Sequence, residues 1–139
     1  MADSTFFISE VVFGDDGYVV VTNGGDAPAD PAGLQLCQFP QYPDLPSGEV
    51  APMGSVQVPA SAMGGLNAGA GEAALYASPE YGNPDAVIGY VQWGEAGHKR
   101  EEPAAQGGKW TAGDFVDATG AASMSAGQRA LSVADWTTA

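Results

Sequence analysis

The chain has 139 residues, of which 20 are Gly, 10 are Pro and 45% are hydrophobic. This much Gly and Pro argues against long helices, and this much apolar content argues against a disordered chain. Four Lys or Arg against 17 Asp or Glu give a net charge of −13, so the protein has little with which to bind nucleic acid or an anionic membrane surface.

The first predicted element is a β-hairpin over residues 6–23. Two runs rich in Val, Ile, Phe, Tyr and Thr flank the tetrapeptide Gly14-Asp15-Asp16-Gly17, and neither run has a helical period. Such side chains favour strands, and Asp and Gly tolerate the backbone angles of a tight reversal. The N-terminus ahead of this hairpin has no basic stretch followed by an apolar one, so no signal peptide is expected. No run of eighteen apolar residues is present either, so no membrane-spanning segment is predicted.

The middle of the chain alternates short strands with turn-rich connections. Leu34, Leu36 and Phe39 continue an apolar alternation that includes Cys37, which is predicted to be a buried apolar side chain. Residues 40–52 hold four prolines, which cannot donate hydrogen bonds within a central strand, so this stretch is predicted to cross over outside the sheets. A long connection of this kind is typical of Greek-key topology. Further strands are predicted at 55–58, 72–76 and 86–93, with a helical turn at 60–65.

The last third of the chain has weaker signals. Residues 94–108 are predicted to be a polar loop, and 110–116, 121–124 and 130–136 are short strand candidates. Trp93, Trp110 and Trp136 each neighbour apolar or strand-like sequence, which favours burial in the core over a ligand platform.

The order of several short motifs resembles the lamin-tail domain family. The first half of the likeness runs Ile8-Ser9-Glu10-Val11, Asp16-Gly17-Tyr18-Val19 with Asn23, and Asp30-Pro31-Ala32-Gly33-Leu34-Gln35-Leu36. The second half runs Leu66-Asn67, Gly71-Glu72-Ala73-Ala74-Leu75-Tyr76 and Val87-Ile88-Gly89-Tyr90-Val91. The resemblance covers about residues 6–93 and implies an immunoglobulin-like β-sandwich, which in bacteria is often an accessory module of exported or surface proteins. On this basis an extracellular or cell-surface location is expected. Residues 94–139 are expected to be a family-specific extension that completes the sandwich.

The sequence offers few groups for catalysis. The only imidazole is His98, in the polar run 95–102, where a mobile loop is a poor support for a general base. One Cys and one His are too few for a zinc site. The glycine-rich segment 67–71 leads into a strand and not into the helix that a phosphate-binding loop requires. No cofactor is therefore expected.

Acid pairs leave one chemical alternative open. Asp15 and Asp16, Glu101 and Glu102, and the nearby Asp26 and Asp30 could serve a weak calcium site or glycoside hydrolysis. None of these spacings matches a calcium-binding loop, and Asp-Asp-Gly between strands is ordinary turn chemistry.

The basic residues suggest a binding loop. Twelve acidic residues precede Lys99, the first Lys or Arg in the chain, and three of the four basic residues lie within 99–109. The candidate partner-binding loop comprises His98, Lys99, Arg100 and Lys109. It could dock on the acidic face of another copy, although Glu101 and Glu102 could also neutralise it locally.

These patterns predict one all-β domain over residues 1–139, an immunoglobulin-like antiparallel sandwich with Greek-key topology and long Gly- and Pro-rich loops. The predicted function is a non-catalytic protein-interaction or assembly module, either self-associating or surface-displayed, whose partner is a protein. A calcium-dependent carbohydrate binder or a small hydrolase is the alternative.

Overall fold

The N-terminal hairpin is present as predicted. The computed structural model describes residues 4–139, so residues 1–3, which belong to the segment examined for a signal peptide, lie outside the described part. Strands β1 (Phe6–Val12) and β2 (Tyr18–Asn23) pair antiparallel, and the N–H of Gly17 donates to the carbonyl of Gly14 to close the turn. Gly14 has a φ of 105°, a conformation that favours glycine.

A β-bulge at Ser9 changes which side chains of β1 enter the core. The register shifts between Ile8 and Glu10, and the Ser9 hydroxyl lies 2.7 Å from the hydroxyl of Thr22. Residues three apart on a regular strand point to opposite faces, whereas the extra residue of a bulge lets Ile8 and Val11 both point inward. Both side chains are buried in the core.

The fold is all-β, as predicted, with two antiparallel sheets. The larger sheet has the order β4-β2-β1-β7-β8 and the smaller sheet the order β3-β5-β6. The remaining strands are β3 (Gln35–Cys37), β4 (Ser55–Pro59), β5 (Gly71–Tyr76), β6 (Val87–Trp93), β7 (Ser123–Ser125) and β8 (Thr137–Thr138). Buried apolar side chains from both sheets form one cluster, so the arrangement is that of a β-sandwich.

The core contains the residues that the sequence placed there. Trp93 and Cys37 are fully buried, and Trp110 and Trp136 are nearly so, which confirms the prediction that the tryptophans belong to the core. The proline-rich stretch 40–52 contains no strand and crosses over from β3 of the smaller sheet to β4 of the larger one, as expected, but it does not lie wholly outside the sheets, because Asp44 forms an isolated bridge with Gln35 of β3. The predicted helical turn is a 3-10 helix at Ala60–Met63.

The C-terminal third differs from the prediction. Residues 94–108 include a short helix, α1 (Glu101–Gln106), whose Pro103 and Ala104 are buried, so this segment is more than a polar loop. The strand predicted at 110–116 is wrong: one isolated bridge joins Trp93 to Val116, and Gly113 has a φ of 91°, which interrupts an extended run. The candidate at 130–136 contains a 3-10 helix at Val133–Asp135. Within residues 4–139, no helix has the length and apolar character needed to cross a membrane.

Candidate functional site

The outer face of the smaller sheet carries a polar layer that is buried. Cross-strand partners share a face, and the pairs Cys37–Ala74, Ala74–Tyr90 and Glu72–Gln92 define this face. Residues 94–116 cover it: the N–H of Val116 donates to the carbonyl of Gln92, and α1 adds its buried residues above the sheet. Glu72 is consequently 2% exposed and Gln92 fully buried.

Glu72 is the acceptor at the centre of this layer. Its Oε1 accepts hydrogen bonds from the Tyr90 hydroxyl at 2.8 Å and from the backbone N–H of Arg100 at 3.0 Å. Its Oε2 accepts from the backbone N–H of Phe39 at 3.3 Å. Burial and the neighbouring Glu72 carboxylate raise the pKa of Tyr90, which keeps its hydroxyl protonated as a donor. Glu72 thus joins three chain segments that are far apart in sequence.

Gln92 extends the layer toward α1. Its Nε2 donates to Oε2 of Glu101 at 2.5 Å and to the carbonyl of Asp114 at 2.7 Å. Glu101 also accepts from the backbone N–H of Gly113. Burial acts to raise the pKa of Glu101, but these hydrogen bonds outweigh it and hold the pKa below its usual value. The Glu101 side chain therefore links the covering segment 94–116 to Gln92 of β6.

Arg100 is enclosed by aromatic rings. Its guanidinium carbon lies 5.4 Å from the ring centroid of Phe39, 5.6 Å from that of Tyr42 and 5.4 Å from that of Tyr81. One terminal nitrogen donates to the Tyr42 hydroxyl at 2.5 Å, and the residue is 9% exposed. Burial costs Arg100 part of its hydration, and its Nε has no hydrogen-bond partner within residues 4–139, but the contacts of the guanidinium with the three rings and with Tyr42 offset this cost.

The structure separates the four residues of the candidate partner-binding loop. Arg100 is buried, and Nζ of Lys109 donates to the carbonyl of Val87 at 3.0 Å. Lys99 is exposed, with Nζ 5.2 Å from the ring centroid of Phe39. His98 is half-buried, and its Nε2 has no hydrogen-bond partner among residues 4–139. Because the Nε2 atom of His98 is itself buried, Lys99 is the one residue of the four whose charged group is exposed and makes no hydrogen bond within residues 4–139.

His98 lines an open groove at the end of the sandwich that carries the β1–β2 turn, and Lys99 lies over the Phe39 ring on the wall of that groove. The groove has a volume of about 810 Å³. His98 and Phe39 both line it, and the Phe39 ring is 48% exposed. Its walls come from residues 13–15, 38–39, 64–71, 98 and 121–122, which are all loop or strand-end segments. We call this feature the loop-end groove.

The acidic turns make local contacts. Asp15 and Asp16 are exposed in the β1–β2 turn, and Oδ1 of Asp30 accepts from the backbone N–H groups of Ala32 and Gly48. Glu101 points into the polar layer, whereas Glu102 is exposed. Across the described residues, no three His, Cys, Asp or Glu side chains lie close enough together to hold a metal ion. The calcium and hydrolase alternative remains a prediction.

Sequence reasoning missed the polar layer and the loop-end groove. A signal for the layer was present, because Glu72 and Gln92 interrupt two otherwise apolar strands and stand opposite each other. The groove had no such signal, since its walls come from five separate segments.

Comparisons with known proteins identify no relative of this chain. No protein-family model matches the chain, and neither the curated proteins nor the solved structures contain a match. The likeness to the lamin-tail family therefore stays a prediction from short motifs.

Proposed function

We propose that this protein is a non-catalytic protein-interaction module that binds a segment of its partner in the loop-end groove. The observation that carries the proposal is the groove itself, with a half-exposed Phe39 ring on its wall and Lys99 over that ring. Ligands and peptide segments bind mostly in concave sites, and the Phe39 ring supplies an apolar surface in this otherwise polar groove. Half-exposed aromatic side chains are also enriched at the centres of interfaces.

A binding function fits the state of the buried acid and phenol better than catalysis does. Glu72 and Tyr90 hydrogen-bond each other, and both lie beneath the covering segment 94–116. A general acid or base has to reach a substrate proton, directly or through one water. The hydrogen bonds of Glu72 instead hold the loops that shape the groove, because Phe39 and Arg100 both donate to it.

The partner can be a second copy of this chain. Lys99 is an exposed cation beside an aromatic ring on a protein of charge −13, and the turn with Asp15 and Asp16 is exposed and acidic. Asp15 lines the same groove that Lys99 borders, so a contact between these two surfaces would be reciprocal and would close as a two-fold dimer.

An immunoglobulin-like, Greek-key sandwich of the lamin-tail type is the finer fold that we propose. The order of the motifs in residues 6–93 supports it, as does the long crossover between the sheets at 40–52. An accessory role at the cell surface would follow from that resemblance.

A peptide selection tests the groove. We expect peptides from a random displayed library to enrich on the wild-type protein and to bind Phe39→Ser at least about tenfold more weakly. Leu131→Ser is the matched control, since Leu131 is equally exposed at 48% and does not line the groove. If no peptide enriches, or if the selected peptides bind both variants alike, the loop-end groove is not the binding site.

Sedimentation tests the second copy as partner. Lys99→Gln removes one positive charge at the groove, and Gln128→Glu adds one negative charge away from it, so the two variants have equal net charge. Self-association through Lys99 predicts a smaller assembly at low salt for Lys99→Gln alone, and a smaller assembly for the wild type as salt rises. Monomers under all of these conditions would exclude a second copy as the partner.

A further inference from the structure

Both edges of the smaller sheet are covered by other parts of the chain. Residues 41–45 run along β3, where the N–H of Leu36 donates to the carbonyl of Pro43. Along β6, the N–H of Val116 donates to the carbonyl of Gln92, and Lys109 bonds the carbonyl of Val87. Covered edges do not recruit further strands.

The outer edge of β4 in the larger sheet has no such cover. Asn23 donates to the carbonyl of Gly54, and Ala60 donates to the carbonyl of Gly17, so residues 54, 56, 58 and 60 face β2. The backbone groups of Ser55, Gln57 and Pro59 therefore point away from the sheet. Within residues 4–139, the outward backbone groups of Ser55 and Gln57 have no hydrogen-bond partner, whereas Pro59 caps the 3-10 helix Ala60–Met63.

The composition of β4 suits the addition of a short strand. The strand Ser-Val-Gln-Val-Pro carries no charge that would repel an incoming chain. Val58 is buried and Val56 is half-buried against the core, so an apolar side chain on the added strand would extend that surface. Pro59 has no N–H, which confines full pairing to Ser55 and Gln57.

The charges around β4 define the partner. Asp16 lies near the Pro59 end of the strand, because the next residue, Gly17, accepts a hydrogen bond from Ala60. The whole of β4 also belongs to the part of the sequence before Lys99, which contains no Lys or Arg. Glu10 lies across the sheet from Gln57, in one row with Val20. Arg129 bonds carbonyls of Ser4 and Phe6, at β1 and not at β4.

We propose that the β4 edge binds an extended peptide that alternates apolar residues with Lys or Arg. The apolar residues would face the side of Val56 and Val58, and the cations would face the acidic surface. This is strand addition, in which the main chain supplies hydrogen bonds and alternate side chains supply specificity. A second copy fits this edge less well, because its own β4 carries no Lys or Arg to meet the acidic surface. The site is separate from the loop-end groove.

The test uses a labelled, end-blocked peptide of alternating Lys and Val, with a Glu and Val peptide as its counterpart. We expect the Lys peptide to bind at low salt, to bind at least about tenfold more weakly in about 0.5 M salt, and to protect the amides of Ser55 and Gln57 from hydrogen exchange. Gln57→Pro removes an outward N–H that the fold does not use, and we expect it to weaken binding at least about tenfold. Gln57→Ala keeps that N–H and should bind as the wild type does.

Gln57→Lys provides a second variant, in case proline distorts the strand: it keeps the N–H and repels a basic peptide, so binding should fall. The proposal would be overturned if the Glu peptide bound the wild type as well as the Lys peptide does. It would also be overturned if Gln57→Pro and Gln57→Lys bound the Lys peptide as well as the wild type does. Loss of binding in Phe39→Ser with normal binding in Gln57→Pro would move the peptide to the loop-end groove. A dimer that forms in high salt and disappears in Gln57→Pro would assign the edge to a second copy instead. Failure at the edge leaves the proposed function of the groove untouched, because Phe39→Ser tests that function separately.

Discussion

The backbone N–H of Arg100 donates a 3.0 Å hydrogen bond to Oε1 of Glu72. This bond ties the segment that covers the smaller sheet to a strand of that sheet, 28 residues earlier in the chain. The same carboxylate accepts from Phe39, a wall of the loop-end groove. The stability of the fold and the shape of the proposed site therefore depend on one acidic side chain.

Glu72→Gln should destabilise the protein by about 1 to 3 kcal/mol, the usual cost of leaving a buried polar group unsatisfied. An amide can still accept at one oxygen, but its NH₂ group would meet a donor, either the N–H of Phe39 or the groups that now bond Oε1. Urea unfolding measures the change. Glu102→Gln is the control, because Glu102 is exposed, and it should change the free energy of unfolding by less than about 0.5 kcal/mol. Equal effects of the two substitutions would contradict a structural role for Glu72.

Arg100→Lys should cost about 1 to 2 kcal/mol although it keeps the positive charge. A lysine ammonium lacks the planar group that packs among Phe39, Tyr42 and Tyr81. Thermal unfolding reports the loss. In the neighbouring control, Lys99→Arg, the exposed cation over Phe39 is retained and little change is expected. A neutral result for Arg100→Lys would show that charge alone is what this position requires.

Asn23→Asp should destabilise the protein by at least about 2 kcal/mol. The Asn23 amide is fully buried, and its Nδ2 donates to the carbonyls of Ala27 and Val50, both at 3.0 Å. A carboxylate would place a second acceptor against those carbonyls. Asn83→Asp is the matched control, since Asn83 uses only its oxygen, to accept from the N–H of Asp85. Chemical denaturation of both variants should separate them; similar stabilities would mean that the donors of Asn23 contribute little.

Stability should fall at alkaline pH, in part through Cys37. Burial raises the pKa of its thiol from 9.0 to about 11, against the opposing effect of the nearby Arg100 guanidinium. Because the folded pKa is the higher one, this contribution is complete below pH 9 and is lost as pH rises through about 11. Its size is about 2 to 3 kcal/mol, from about 1.4 kcal/mol per pKa unit.

Urea unfolding at several pH values between 8 and 11 checks this prediction, with Cys37→Ala as the comparison. The variant should lose less stability over that range than the wild type does. The buried Tyr76 and Tyr90, whose pKa values are also raised by burial, should account for the dependence that remains. Parallel curves for the two proteins would show that Cys37 does not titrate as its burial implies.

The features that sequence predicted were those with local causes. The hairpin follows from β-branched residues on either side of Gly14 to Gly17, and the crossover at 40–52 follows from prolines that cannot join a ladder. The bulge at Ser9 was not predictable, because an extra residue on one strand is visible only once its partner strand and register are known.

The buried polar layer and the groove depend on contacts between distant segments. Residues 94–108 are polar enough to predict a loop in water, yet Arg100 is enclosed by rings that come from residues 39, 42 and 81. No local sequence pattern indicates that these three rings form a binding pocket for the Arg100 guanidinium. These rings bury Arg100, and a separate hydrogen bond to the carbonyl of Val87 holds Lys109 partly buried, so Lys99 is the one candidate loop residue left exposed.

The cover that residues 94–116 form over the smaller sheet sets a lower limit on the piece of this chain that can be handled alone. A fragment ending at Trp93 would keep the strands of residues 6–93, where the likeness to the lamin-tail family lies. It would expose Glu72, Tyr90 and Gln92 to solvent and remove the groups of Arg100 and Glu101 that bond Glu72 and Gln92. Such a fragment should aggregate and be poorly soluble. Expression trials or domain fusions that use this protein should therefore include the covering segment, and they should extend through Thr138 because β7 and β8 complete the larger sheet.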